Sequence, residues 1–475
     1  MVRYLSEGCE PRVRAMMTTL RRSTDVTRLR DLVGRLIMRA VPGRLANRQR
    51  QDGRGPAERD VVARLETLCR SLLSGKGEAS GTALAADIME LYELADAEQR
   101  VAFFVRLAEG FGPDWPAARA AWAAHEKAPS HERFRTLVQA IEPARQELFR
   151  RINRATGGTA ALVRLREDVL KALRQRPALR CVDDDLEHLF QSWFNRGFLV
   201  LQRIDWSTPA DILERIIRYE AVHQIGGWGD LRRRLQPPDR RCYAFFHPAL
   251  ASDPVIFVEV ALTDAIPDSI QTLLAEDRVP MAPQSATTAV FYSISNCQPG
   301  LQGVSFGNFL IKQVVEELAH EFPGLSTFVT LSPVPGFSRW LAANDDARDV
   351  RARLDDPNWK DDGGKAARLK SDLMPLAAEY FLKARDARGR PVDPVARFHL
   401  GNGARLERLC WLGDTSAKGM RESAGLMVNY LYDLAQVETN HEAFANDGLI
   451  AASKNVRRLD APASKGKALA SAPVG

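Results

Sequence analysis

Thr288-Ala-Val-Phe-Tyr-Ser-Ile-Ser-Asn296 is followed by Gln298-Pro-Gly-Leu-Gln-Gly-Val-Ser-Phe-Gly-Asn308, and then by Phe309, Leu310, Val314 and Leu318 at helical spacing. The first segment is rich in β-branched and aromatic residues and reads as a strand. The last reads as a helix over 307–321, with one apolar face. Strand, glycine turn and helix together aim backbone N–H groups and the helix's positive end at one spot. That is an anion cradle suited to a pyrophosphate. Gly303 and Gly307 permit close approach of a ligand to the backbone. No Gly-Lys-Ser/Thr follows, so this is not a Walker loop, and the spacing is not Gly-x-Gly-x-x-Gly. From the residues alone, a plain tight turn is an equal reading.

Outward from this stretch, strands and helices alternate. Cys242–His247 and Val255–Leu262 read as paired strands across a proline-bounded loop, and Leu325–Leu331 as a strand stopped by Pro333. Helices are expected over 212–220 and 366–384. Upstream, about 58–200 reads as helix throughout. Asp96 with Gln99 three residues on forms a capping box. Val101, Phe104, Val105 and Ala108 make one stripe, ended by Gly110 and Gly112. Leu84, Ile88, Leu91 and Tyr92 make another, as do Phe134, Leu137, Val138 and Ile141. Pro143 opens a helix with Leu148, Phe149 and Ile152; Leu162, Leu165, Val169 and Leu173 give the next. Asp183-Asp184-Asp185 puts negative charge at the start of a helix carrying Leu186, Leu189, Phe190, Trp193 and Phe194. The stripes are expected to bury one another in a bundle. The fold class is therefore α/β (α+β): an all-helical bundle over 60–185, then a mixed domain over 186–460. A basic arm or helix precedes them over 1–58, and a frayed Ala/Ser/Lys-rich tail follows over 461–475.

The net charge of +6 is unevenly placed. Residues 1–55 carry thirteen arginines and five acids, which leaves the remainder at −2. A body this close to neutral argues against a spread nucleic-acid footprint. Leu29, Leu32, Val33, Leu36 and Ile37, with arginines between them, form a basic amphipathic pattern stopped by Pro42-Gly43. It reads as a local helix or arm, with a mitochondrial presequence as the alternative. The most apolar run, Val255–Leu262, falls far short of the ~18 residues of a membrane span. Six scattered cysteines (Cys9, Cys69, Cys181, Cys242, Cys297, Cys410) contain no Cys-x-x-Cys pair. They read as reduced thiols in a cytoplasmic protein, with no metal knuckle.

The turn resembles the signature of the N-acetyltransferase (GNAT) fold, in which Gln/Arg-x-x-Gly-x-Gly/Ala after the fourth strand binds the coenzyme A pyrophosphate. Gln302-Gly-Val-Ser-Phe-Gly-Asn308 is close to it, with Asn308 in the final small position. The wider context resembles the malonyl-CoA decarboxylase family. The similar blocks are Arg240-Arg-Cys-Tyr243, Val260-Ala-Leu-Thr263, Phe291-Tyr-Ser-Ile-Ser295 and Gly300-Leu-Gln-Gly-Val304. They continue with Phe309-Leu-Ile-Lys312, Leu331-Ser-Pro-Val-Pro-Gly-Phe337 before Trp340-Leu341, Phe398-His-Leu-Gly-Asn-Gly-Ala404 and Gly425-Leu-Met-Val-Asn-Tyr-Leu-Tyr432. They run in one consistent order over about 180–460.

What the resemblance implies is specific. The family's catalytic serine falls on Ser332, its histidine on His399, and a tyrosine close to that pair on Tyr432. Its acyl-CoA turn falls on Gln302, Gly303, Val304, Ser305, Phe306, Gly307 and Asn308. Ser305 departs from members that carry a glutamate there, so whatever orients the histidine in those members must be supplied otherwise. The activity implied is a carboxy-lyase of fatty-acid metabolism converting malonyl-CoA to acetyl-CoA and CO2. Malonyl-CoA is the partner, with no nucleic acid and no membrane, and self-association would run through the helical domain. The chemistry is coherent. Loss of CO2 leaves an enolate that needs hydrogen-bond donors on its oxygen and a proton on its carbon. The thioester is its own electron sink, so no cofactor and no metal is expected. Ser332 would donate a hydrogen bond, and His399, titrating near neutrality, would supply the proton. The alternatives are an acyl-CoA N-acyltransferase on the same fold and a non-catalytic acyl-CoA-binding regulator.

Overall fold

The computed structural model describes residues 61–74, 77–304, 310–360 and 362–460. The expected basic arm, the tail, Cys9 and the turn residues Ser305, Phe306, Gly307 and Asn308 lie outside the described residues. Eight helices come first: α1 (Val61–Leu73), α2 (Glu78–Leu94), α3 (Ala97–Gly110), α4 (Trp115–Lys127), α5 (His131–Ile141), α6 (Ala144–Asn153), α7 (Gly158–Leu173) and α8 (Arg180–Trp193). The Asp96 side chain accepts from Gln99 N–H at 2.8 Å, and the Gln99 side chain accepts from Asp96 N–H at 3.0 Å, completing the capping box. The stripes of α2, α3, α6, α7 and α8 bury together as expected. The stripe of α5 does not: Phe134, Val138 and Ile141 are exposed, as are Trp115 and Trp122 of α4. The acidic run opens α8 as expected, with Asp183 in the first turn. Buried Asp183 and Asp185 also pair with Arg166 of α7 and Arg145 of α6, so ion pairs add to the helix dipole in holding these charges.

The remaining elements are β1 (Val200–Ile204), α9 (Ala210–Tyr219), α10 (Trp228–Leu235), β2 (Arg240–Phe246), β3 (Pro254–Thr263), α11 (Ile270–Leu274), β4 (Thr288–Asn296), α12 (Leu310–Glu321), β5 (Thr327–Thr330) and β6 (Ser332–Pro333). Then come α13 (Phe337–Ala343), α14 (Arg348–Leu354), α15 (Gly363–Leu382), α16 (Pro394–Gly401), β7 (Arg405–Cys410), α17 (Ala417–Ser423), β8 (Met427–Leu431), α18 (Val437–Asp447) and α19 (Lys454–Asp460). The sheet order is β1-β2-β3-β4-β5-β8-β6, with β7 also on β8. Only β4 and β5 run parallel among the described pairs. A mixed sheet after a helical region is the expected mixed α/β class.

One contiguous core runs from Leu65 to Val456 and includes both the helices and one face of the sheet. The boundary expected at 185/186 falls within α8, so the helical region continues to Trp193. The opposite sheet face carries two smaller clusters, around Ile216 and Phe257 and around Val290 and Val329.

The sheet opens where it matters. The parallel pairing of β4 and β5 ends at Phe291 opposite Thr330, with Leu331 N–H donating to the Phe291 carbonyl at 3.0 Å. Beyond that point β4 continues to Asn296 against β3 alone. The β3–β4 register skips Tyr292, since Val260 faces Phe291 while Glu259 faces Ser293. Such a bulge bends a strand away from its neighbour. The turned-over end is tied down by buried Glu220, whose carboxylate accepts from Ser293 at 2.7 Å and Ser295 at 3.2 Å.

Candidate active site

The gap between β4 and β5 is a cavity of about 480 Å³, lined by Tyr292, Ile294 and Asn296 on one side and Ser332, Pro333 and His399 on the other. Gly303 and Val304 of the glycine turn close one end. Its walls are mostly apolar, with a few polar atoms at fixed places, which is the usual make-up of a small-molecule site.

Ser332 stands two residues past the last parallel pair, where β6 pairs with Val428 of β8. Its hydroxyl donates to Thr330 Oγ1 at 2.8 Å. His399 lies near the end of α16, whose start is fixed by Pro394 and by the Asp393 carboxylate accepting from Ala396 N–H at 2.8 Å. The imidazole stacks on Tyr430, centroids 4.5 Å apart at 25°. Its Nε2 is 3.2 Å from Ser332 Oγ, and its Nδ1 is 2.8 Å from the Tyr432 hydroxyl. Because the Ser332 proton points to Thr330, Ser332 Oγ receives Nε2–H, and Nδ1 accepts from the Tyr432 O–H. The four side chains thus form one directed chain, Tyr432 to His399 to Ser332 to Thr330.

All members of the chain are buried. Burial drives the His399 pKa down to about 3 and the Tyr432 pKa well above its ordinary value. His399 is therefore a neutral imidazole throughout the physiological range. The sequence-based expectation of a histidine titrating near neutrality does not hold, and the reason is desolvation of the charged form.

The glycine turn is held from behind. Arg166 of α7, 1% exposed, donates to the Gly300 carbonyl at 3.0 Å and the Gln302 carbonyl at 2.8 Å. The same guanidinium is paired with Asp183 at 2.8 Å and Glu187 at 3.3 Å. Gly300 packs so closely on α7 that a Cβ there would overlap the Val163 carbonyl. Gly303 adopts φ +84°, which favours glycine. Gln302 N–H and Val304 N–H donate within the turn itself, to the Pro299 and Leu301 carbonyls.

Family models match the chain over two stretches: the malonyl-CoA decarboxylase N-terminal domain over residues 111–194 and the C-terminal domain over 197–470. The mitochondrial malonyl-CoA decarboxylase of Rattus norvegicus is 36% identical over 436 residues, covering 82% of this chain and 87% of the relative. The chain belongs to the malonyl-CoA decarboxylase family. The goose enzyme, from Anser anser anser, is 37% identical over 350 residues, 66% of this chain and 69% of the relative. Two crystal structures of family members are similar throughout. That from Rhodopseudomonas palustris is 58% identical with a TM-score of 0.81, and that from Agrobacterium vitis is 55% identical with 0.80. Each comparison covers 84% of this chain and 99% of the other.

Within this member of the malonyl-CoA decarboxylase family, Ser332, His399 and Tyr432 come together from three separate elements, 33 and 67 positions apart in the chain. Gly303 and Val304 reach the same cavity from the turn. Gln302 contributes its carbonyl to Arg166 and is not among the lining residues. Three residues carry weight that the sequence reading missed. Thr330 receives the Ser332 proton, Tyr430 fixes the ring plane of His399, and Arg166 holds the turn. For Thr330 a signal existed, since side chains two apart on an extended strand share a face. For Arg166 there was none, because its turn partners lie 134 and 136 residues away.

Proposed function

We infer that this chain converts malonyl-CoA to acetyl-CoA and CO2, with Ser332, His399 and Tyr432 carrying the proton chemistry. The observation that carries the reading is a neutral, fully paired Tyr–His–Ser chain ending at a mostly apolar cavity. The acyl-CoA lies along the splayed end of β4, with its phosphates toward the glycine turn and its malonyl group toward Ser332. Moving the carboxylate into this apolar space weakens its solvation, while the enolate formed on CO2 loss spreads its charge onto the thioester oxygen. Ser332 O–H or His399 Nε2–H stabilises that oxygen and then protonates the carbon. The bond between the carboxylate and methylene carbons breaks, its electron pair enters the enolate, and one proton closes the cycle.

The phosphate cradle uses Gly303 and Ser305 to Asn308, the N–H groups of Gln302 and Val304 being engaged within the turn. The chain self-associates through α4 and α5, where Trp115, Trp122, Phe134, Val138 and Ile141 leave an apolar face uncovered. It acts in the cytoplasm, in fatty-acid metabolism, and five described cysteines without disulfide partners suit that compartment. Among the described residues, no helix is long and apolar enough to cross a membrane.

The deciding experiment incubates the purified chain with malonyl-CoA and no amine acceptor. Release of CO2 with equimolar acetyl-CoA is expected. Acyl transfer that needs an added amine would move the assignment to an N-acyltransferase, and binding without turnover would make the chain a regulator.

A further inference from the structure

His399 has two ring nitrogens, and they face in different directions. Nε2 meets Ser332 on the wall of the large cavity. Nδ1 meets Tyr432, and Tyr432 also lines a second cavity of about 130 Å³, which shares Asn402 with the first. That cavity is bounded by Val315 of α12, Asn402 after α16, Leu434, and Val437, Glu438 and His441 of α18. Its mouth faces solvent: Glu438 and Leu434 are exposed, and Lys312 lies 3.4 Å from the Glu438 carboxylate. Most of the lining is apolar, so water enters from the exposed mouth; at roughly 30 Å³ of liquid per water, the space has room for a few.

We propose that the second cavity is a proton-supply vestibule, and that Tyr432 relays protons between its water and His399 while the large cavity is filled by substrate. This deepens the decarboxylase reading and rests on it. The need is chemical. Each turnover consumes one proton, yet the acyl chain excludes water from the Ser332 side at the moment the carbanion forms. In the filled site, the Ser332 hydroxyl turns and gives its proton to the carbanion. Nε2–H restores Ser332, the Tyr432 hydroxyl proton moves to Nδ1, and vestibule water restores Tyr432, with solvent protons neutralising the hydroxide. When product leaves, water in the large cavity reprotonates Nε2 through Ser332. Nδ1 then returns its proton by way of Tyr432, leaving one solvent proton consumed per cycle.

The test is a plug at the vestibule mouth. Leu434→Trp fills space there without touching His399, Ser332 or Tyr432's hydroxyl. It is expected to lower kcat on the order of tenfold, less than the ~10²–10⁴-fold of losing general-acid catalysis outright, with an unchanged KM and an altered solvent deuterium isotope effect on kcat. In a Tyr432→Phe background the plug should have no further effect, since both changes cut one route. Should Leu434→Trp fail to fold, Glu438→Trp at the same mouth replaces it. Plugged variants that bind malonyl-CoA and keep the parent's kcat and isotope effect overturn the vestibule. So does a plug whose effect adds fully to that of Tyr432→Phe. An unmodified chain that makes no acetyl-CoA would instead overturn the decarboxylase assignment itself.

Discussion

The two ends of the large cavity are held by opposite kinds of physics. At the turn end, the backbone is fixed by a charged cluster, buried Arg166 and Asp183 with partly exposed Glu187, reaching across from the helical region. At the other end, Ser332, Thr330, His399 and Tyr432 are neutral; they are joined by hydrogen bonds, and Tyr430 stacks on the imidazole. A phosphate needs a rigid frame of backbone dipoles, and charges placed behind that frame can hold it without competing for the ligand. A developing enolate needs donors in a dry place, where a fixed full charge would be costly to bury. The difference predicts that changes at one end move kcat and changes at the other move KM.

The largest effect belongs to the neutral end. His399→Asn removes the relay between Tyr432 and Ser332 while leaving an amide of similar reach. We expect kcat to fall roughly 10²–10⁴-fold, the range of general-acid catalysis, with acyl-CoA binding retained. A variant near the parental rate would take His399 out of the mechanism and break the contrast between the ends.

Ser332→Ala comes next. Loss of one transition-state donor lowers kcat by about 10²–10³, and Ser332→Thr recovers part of it where the methyl fits. Mass spectrometry of a rapid quench separates this role from covalent attack. An acetyl or malonyl adduct on Ser332 would make it a nucleophile.

At the charged end the effect is on binding and stability. Arg166→Met leaves Asp183 buried without its main partner and frees the carbonyls of Gly300 and Gln302. Breaking one side of a buried pair costs about 3–5 kcal/mol, so the melting temperature should fall clearly. KM for malonyl-CoA should rise more than kcat falls. Gly303→Val, strained at φ +84°, should raise KM for malonyl-CoA but not for a short malonyl thioester lacking the nucleotide. Equal damage with both substrates would mean that the turn serves only the fold.

Legibility in the sequence followed the same division. Strand β4 was readable to its ends, Thr288 and Asn296, because it is a dense β-branched and aromatic run. The capping box at Asp96 was equally plain, being local. Ser332, His399 and Tyr432 were reached only through the family resemblance, since no spacing rule joins residues 33 and 67 apart. Strands β1 and β7 escaped because Gln202-Arg203 and Arg405, Glu407 and Arg408 give them no clean alternation. The α5 stripe was read correctly as a stripe and wrongly as core, because periodicity shows that a face is apolar but not what covers it. The acidic run at Asp183 was read correctly as a helix start. Its ion pairs were not legible, because Arg166 and Arg145 come from other helices.

The smallest expected effect is the most discriminating for the neutral end. Burial holds the His399 pKa near 3, so its charge does not change between pH 5 and 8. The kcat profile over that range should show no inflection near 6.5, the value of a solvated histidine. Stability should nonetheless depend on pH with a definite sign. The unfolded chain takes up a proton on this histidine as pH drops through 6.5, while the folded chain does not until about 3. The contribution of neutral His399 is therefore complete above 6.5 and is lost as pH falls from there toward 3. His223, also buried and pushed down to about 4, acts in the same direction over a slightly narrower window. Asn at 399 abolishes one of these two terms, so the variant's denaturation midpoint should fall less steeply with acidification than the parent's. A kcat profile that titrates near 6.5 and vanishes in the 399 variant would show that the imidazole is charged in the substrate complex, and the neutral relay would give way to an imidazolium acid.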